Sequence, residues 1–278
     1  MKRLSQFTLL STFWACVASF AFSQDSAHQE KVAEGQFWEW KDDKPIPDTT
    51  QTWTIWRTAD GFEVEDKLPL NKAAVYAAVM GKAFEGRMSA ELSEEMRGGS
   101  TTTDIHLQLS RQGAIQALML NGKKLSDAKD VQVADCRLSE KEIACKGLGN
   151  SARLKNPSSD QLVYSYPFPL FFISILKQLK PAVSQTKPVK LAILEEMHNK
   201  LQLTEVLAQL RGEGRENLHV GEHIFETDKY SLAYDTKMGP RQITIWTSNQ
   251  GTVFGMEDSA LAPGVRVLLS QYKKYSDF

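Results

Sequence analysis

The chain has 278 residues, 42% of them hydrophobic, and carries 33 basic against 34 acidic side chains for a formal net charge of −1. That balance leaves no broad basic field to hold phosphates and excludes a nucleic-acid binder. The length is enough for one large β-rich domain or two smaller units, either with a real core.

Residues 1 to 23 open with Lys2 and Arg3 and run into the apolar stretch 7 to 22. They end Ala21-Phe22-Ser23, with a small residue at each of the two recognition positions before a cut. This is the pattern of a secretory signal peptide cleaved near Ser23. A retained anchor needs about 18 to 20 uninterrupted apolar residues, and Ser5, Gln6, Thr8, Ser11, Thr12 and Ser19 interrupt this run. Cys16 does not read as a lipidation site, because Trp14 is bulky where such sites want a small residue. Cleavage removes Lys2 and Arg3 and no acid, leaving 31 basic against 34 acidic side chains and a formal charge of −3. The expected location is the periplasm or the extracellular medium, with no transmembrane span in the mature chain.

Residues 24 to 34 are polar and are expected to be disordered. Beyond them the chain divides into two β-rich halves, 35 to 156 and 157 to 278. Phe37 to Trp40 opens the fold, and strands over 51 to 57 and 62 to 67 flank a turn at Asp60-Gly61. Asn71 can cap a short helix over 73 to 79 that stops at Gly81, and 87 to 96 reads as strand or helix, its alternation favouring the strand. Residues 103 to 109 have the cleanest period of two, with Ile105, Leu107 and Leu109 on one face and Asp104, His106 and Gln108 on the other. A strand over 114 to 120 and a turn at Asn121-Gly122 lead to a hairpin of 131 to 136 with 142 to 146.

That hairpin carries the two cysteines of the mature chain. With Glu140-Lys141 at the turn, Cys136 and Cys145 fall directly opposite each other at a non-hydrogen-bonded pair, within disulfide range. Two close thiols in an exported chain point to one disulfide. Two thiols without a nearby histidine make a poor zinc site.

Residues 162 to 176 are strongly apolar and aromatic. Pro169 suits a first helical position, and a helix over 169 to 180 is apolar nearly all round. It is too short to span a bilayer. Two uses remain open: burial against the concave face of a sheet, or a lid over an apolar cavity or a membrane surface. Strands follow over 189 to 195 and 200 to 211, a break at Gly212-Glu-Gly214, and further strands to Asp235. Residues 241 to 258 form a hairpin about Ser248 to Gly251, and 264 to 275 closes the chain. Thr54-Ile-Trp56 with Val64-Glu-Asp66 echoes Thr244-Ile-Trp246 with Met256-Glu-Asp258, so Trp56 and Trp246 are expected at comparable places in the sheet.

Candidate chemistry is sparse. His219 and His223 are the only histidines at ligand-like spacing, and a metal-dependent hydrolase using them is one alternative. Gly147-Leu-Gly149 is followed by no helix on which to seat a phosphate. No nucleophile elbow, phosphate-binding lysine loop or zinc-protease signature occurs. No catalytic residue, metal ligand or cofactor is assigned. The aromatic residues Tyr164, Phe168, Phe171, Phe172, Trp56 and Trp246 are the candidates to line an apolar cleft.

The strand layout, the apolar helix and the closing run Ile243-Thr-Ile-Trp246, Gly251-Thr-Val253, Met256-Glu-Asp258 and Val267-Leu-Leu-Ser-Gln-Tyr272 together resemble the half-barrel periplasmic proteins of the outer-membrane lipoprotein carrier (LolA-like) superfamily. The resemblance is strongest over 160 to 278, weaker over 35 to 155, and carries over no functional residue. It implies a mainly β (α+β) fold of long antiparallel strands in a curved half-barrel, with one or two short helices on the concave side. It also implies a wet convex face and a concave apolar face that holds a lipid or acyl chain. The expected function is a non-enzymatic binding protein for a lipid or other apolar small molecule; the alternative is a cell-envelope scaffold or protein-partner module.

Overall fold

The computed structural model describes residues 30 to 47, 49 to 68, 100 to 124, 129 to 155, 157, 161 to 165, 168 to 197, 200 to 236, 239 to 259 and 264 to 277. The leader, the helix expected over 73 to 79 and the strand expected over 87 to 96 lie outside them. In chain order the elements are β1 (Glu30–Lys41), β2 (Lys44–Pro45), β3 (Gln51–Arg57), β4 (Gly61–Lys67), β5 (Ser100–Ser110), β6 (Ile115–Lys124), β7 (Asp130–Leu138), β8 (Glu142–Gly147) and β9 (Asn150–Lys155). After these come β10 (Gln161–Ser165), α1 (Phe171–Leu179), β11 (Thr186–Met197), β12 (Lys200–Val220), β13 (His223–Thr236), β14 (Gly239–Thr247), β15 (Val253–Asp258) and β16 (Val265–Lys274).

All the strands belong to one curved, unclosed sheet in the order β10-β11-β12-β13-β14-β15-β16-β1-β3-β4-β5-β6-β7-β8-β9, with β2 beside β1. Every pair is antiparallel except β10 with β11. The two halves read from the sequence therefore share a sheet and are joined where β16 meets β1. Its edges come from the middle of the chain, β9 and β10. The edge strand β9 approaches β12 without a ladder. There the Asn150 side chain donates to the Leu201 carbonyl and accepts from the Leu201 amide, both at 2.9 Å.

Alternation sets the faces. Ile105, Leu107 and Leu109 point inward and are buried, as their period of two predicts. Cys136 pairs with Cys145 across β7 and β8, and the two form a disulfide with Cα atoms 4.0 Å apart inside the main core. Leu148 and Gly149 both take positive φ, as a two-residue hairpin turn between twisted strands requires. That glycine-rich stretch is thus the β8–β9 turn.

Four expectations are corrected. β1 begins at Glu30, because ladders to β3 and β16 on both sides hold the polar residues 30 to 34 in the sheet. Asn121 and Gly122 lie inside β6, where β-bulges against both β5 and β7 absorb them without ending the strand. Gly212 and Gly214 bend β12 and do not break it: the register to β13 shifts between them, and Gly214 has φ +108°. The convex face is also not uniformly wet. Past the bend, the far half of the β12–β13 hairpin brings Leu218 and Val220 against Trp40, Trp246 and Leu268, a second, smaller core outside the sheet.

Replacing Cys136 and Cys145 together by alanine is expected to cost about 2.5 kcal/mol, the chain entropy released by opening so short a loop. Urea unfolding of oxidised wild type against the double variant would measure it; equal midpoints would show that the disulfide contributes nothing.

Candidate functional site

Helix α1 crosses the concave face as a plug. Phe171, Phe172, Ile173, Ser174, Ile175 and Leu176 are all buried, a full turn and a half with no wet side. The Lys180 amide caps the end on the Leu176 carbonyl, and Lys187 reaches the Leu179 carbonyl at 2.6 Å. Lysines pin the plug to the rim. Lys180 bonds the Asn249 carbonyl at 3.0 Å and lies 3.3 Å from Asp228, and Lys177 sits 4.7 Å over the Phe62 ring. Burial pushes the Lys177 pKa down from the ordinary lysine value.

Four of the six candidate aromatic residues meet here. Tyr164 packs against Phe171 at 6.0 Å between ring centroids and against Phe172 at 5.4 Å, and Phe168 lies 6.3 Å from Phe171. Trp56 and Trp246 stand on the outer face. They occupy matching places: Ile55 pairs with Val64 as Ile245 pairs with Met256, so each tryptophan follows an inward isoleucine. The aromatic set is split between two faces, with Trp246 in the outer core and Trp56 under the Lys31 ammonium at 5.1 Å.

Between α1 and strands β1, β3 and β16 lies a cleft of about 310 Å³, within the size range of small-molecule sites. Ala33, Ile55 and Ile173 give it an apolar floor, and its mouth is polar. At the mouth Lys274 bonds both Gln250 and Asp277 at 2.5 Å, and the Thr252 and Tyr272 hydroxyls are 3.3 Å apart.

The sequence echo also marks a feature that was not singled out. Asp66 and Asp258, the acids ending Val64-Glu-Asp66 and Met256-Glu-Asp258, are both buried. Each is held by the residue four positions before the inward isoleucine. Gln51 donates to Asp66. Arg241 makes a two-pronged contact to Asp258, from Nε at 3.0 Å and from Nη2 at 2.8 Å. Burial opposes the Arg241 charge, but the Asp258 carboxylate outweighs it, and the guanidinium pKa is raised. Burial pushes the hydroxyls of Tyr230 and Tyr234 up to about 12.

His219 and His223 do not converge. His219 pairs with Ile224 and His223 with Val220 across the hairpin, which puts the imidazoles on opposite faces. A different trio does. Glu63 and Glu65 share the outer face of β4, His106 lies opposite Glu65 on β5, and ligand atoms of all three are within 4.8 Å of one another. The alternation of Glu63 and Glu65 was a visible signal; the β4–β5 register that adds His106 was not.

The fold is thus a half-barrel of antiparallel strands plugged on its concave side by a helix. No described helix is long and apolar enough to cross a membrane. No family model matches the sequence, and no curated protein does. Among solved structures the chain is similar to a β-barrel-like protein of a domain of unknown function, DUF1849, from Brucella abortus. The identity is 11% and the TM-score 0.45, over 88% of this chain and 98% of that one. A DUF1089 family protein from Pseudomonas aeruginosa matches at 10% identity and TM-score 0.36, over 78% and 87%. The hypothetical lipoprotein YmcC from Escherichia coli matches at 15% and 0.27, over 71% and 95%.

Two outcomes test the interior. Asp258→Ala strands a buried guanidinium and is expected to cost about 3 to 5 kcal/mol, whereas Arg241→Met with Asp258→Leu, which removes both charges, costs much less; urea unfolding separates the two. The tyrosines add a pH dependence. Unfolded tyrosines ionise near pH 10. Between pH 10 and about 12 the native state therefore keeps protons that the unfolded chain has lost, and stability falls as pH rises through that window. Tyr234→Phe should flatten part of the decline; an unchanged slope would show that Tyr234 does not contribute.

Proposed function

We propose that this chain is a non-enzymatic, exported binding protein of LolA-like half-barrel type, holding a lipid or other apolar small molecule between α1 and the concave sheet. The observation that carries the reading is the cleft beside the plug, with an apolar floor of Ala33, Ile55 and Ile173 and a polar mouth around Tyr272 and Lys274. An amphiphile fits such a site with its chain on the floor and its head at the rim. The rings of Tyr164, Phe168, Phe171 and Phe172 cluster at the N-terminal end of α1 and add to the apolar surface of the interior. The leader pattern and the buried disulfide support export to the periplasm or beyond.

Mature protein extracted with organic solvent is expected to release a co-purified lipid by mass spectrometry and to bind a fluorescent fatty acid saturably. Ile173→Glu should weaken that binding about tenfold, or 1.4 kcal/mol. Tyr272→Ala, at the exposed mouth and outside the buried core, provides a second variant, confirmed folded by circular dichroism. Folded wild type with no saturable binding would overturn the proposal, and a protein partner recovered without lipid would favour the envelope-scaffold alternative.

A further inference from the structure

We propose that Glu63, Glu65 and His106 form a binding site for a divalent transition-metal ion of the Zn²⁺ class on the outer face of the sheet, away from the apolar cleft.

The site follows from register. Glu63 and Glu65 are two positions apart on β4 and therefore project from the same face. The β4–β5 ladder places His106 opposite Glu65, and three half-buried groups bring their ligand atoms within 4.8 Å of one another. Zinc bonds to imidazole nitrogen and carboxylate oxygen are about 2.0 to 2.2 Å long, so tetrahedral ligation sets neighbouring ligand atoms about 3.4 Å apart. Side-chain rotation can close the difference without moving either strand. Two carboxylates and one imidazole together balance a divalent charge, and three protein ligands leave a fourth position for water.

The chemistry also selects among ions. Ca²⁺ and Mg²⁺ take six or more oxygen ligands, and an imidazole with only two carboxylates supplies too few. Nitrogen-tolerant transition ions suit the set. The cross-strand neighbours of the three ligands are Thr54, Trp56, Gln108 and Met119, and Lys67 follows Glu65 on the same face of β4. A cation bound between the two carboxylates would screen the repulsion between them. Its position has a mechanical effect as well. β4 and β5 pair directly but are linked along the chain through residues 68 to 99, and a metal clip across so long a connection adds to the closure that their ladder makes.

Mature, disulfide-intact protein freed of metal by chelation should bind one equivalent of Zn²⁺ by titration calorimetry, and Zn²⁺ should raise its melting temperature. Ca²⁺ at the same concentration should do neither. His106→Ala and the isosteric Glu65→Gln, each confirmed folded by circular dichroism, should weaken binding about tenfold or more and abolish the thermal shift. The double change His219→Ala with His223→Ala should leave both intact. The proposal is overturned if Zn²⁺ shows no saturable binding, if binding survives in folded His106→Ala and Glu65→Gln, or if it is lost with the two hairpin histidines.

Discussion

Strand β1 pairs with β16 from Ala33↔Lys274 to Lys41↔Val265, and without that ladder the sheet would separate into β10 to β16 and β1 to β9. The seam joins residues more than two hundred positions apart, so its loop-closure entropy must be met before the central ladder forms. High sequence separation of this kind slows folding. Packing at the seam is close. Phe37 stacks on Trp53 at 5.9 Å, and Gly35 is there because any Cβ would lie 2.6 Å from the Trp53 ring. The middle of the half-barrel is therefore completed by the last strand of the chain, while its open edges are made from the middle of the sequence.

Burial is divided between two cores of different construction. The inner core is continuous, from the disulfide hairpin through α1 to β13 and β14. The outer one depends on a single bent hairpin, and its contacts are tight: Gly221 approaches Trp40, and Gly255 leaves space for both Leu218 and Leu268. Helix α1 belongs to the inner core without belonging to the ladder. It is held by apolar contacts and by lysines at the rim, with no part in strand pairing.

What the sequence disclosed follows from how local each signal is. The alternation at Ile105, Leu107 and Leu109 and the opposition of Cys136 and Cys145 depend on a few neighbouring residues, and both are seen in the fold. The helix also holds, over 171 to 179. Glycine is ambiguous, because the residue that permits a turn also permits a bulge: Gly122 and Gly214 carry turn chemistry yet lie within strands that continue past them. Nothing local marks residues 30 to 34 as strand, because their partners, Trp56 and Lys273 among them, are distant in sequence. The convergence of Glu63, Glu65 and His106 required a register set across a long connection, which no local pattern encodes. The paired acids Asp66 and Asp258 stand in the echo, and only burial distinguishes them from other strand residues.

Arg57 bonds Glu30 through Nη1 at 2.8 Å and the Asp277 carbonyl through Nη2 at 2.6 Å. One side chain thereby gathers the first and last described residues at the same corner of the molecule, and Asp277 itself lines the cleft mouth. The two ends of the described sheet are therefore fastened together beside that opening.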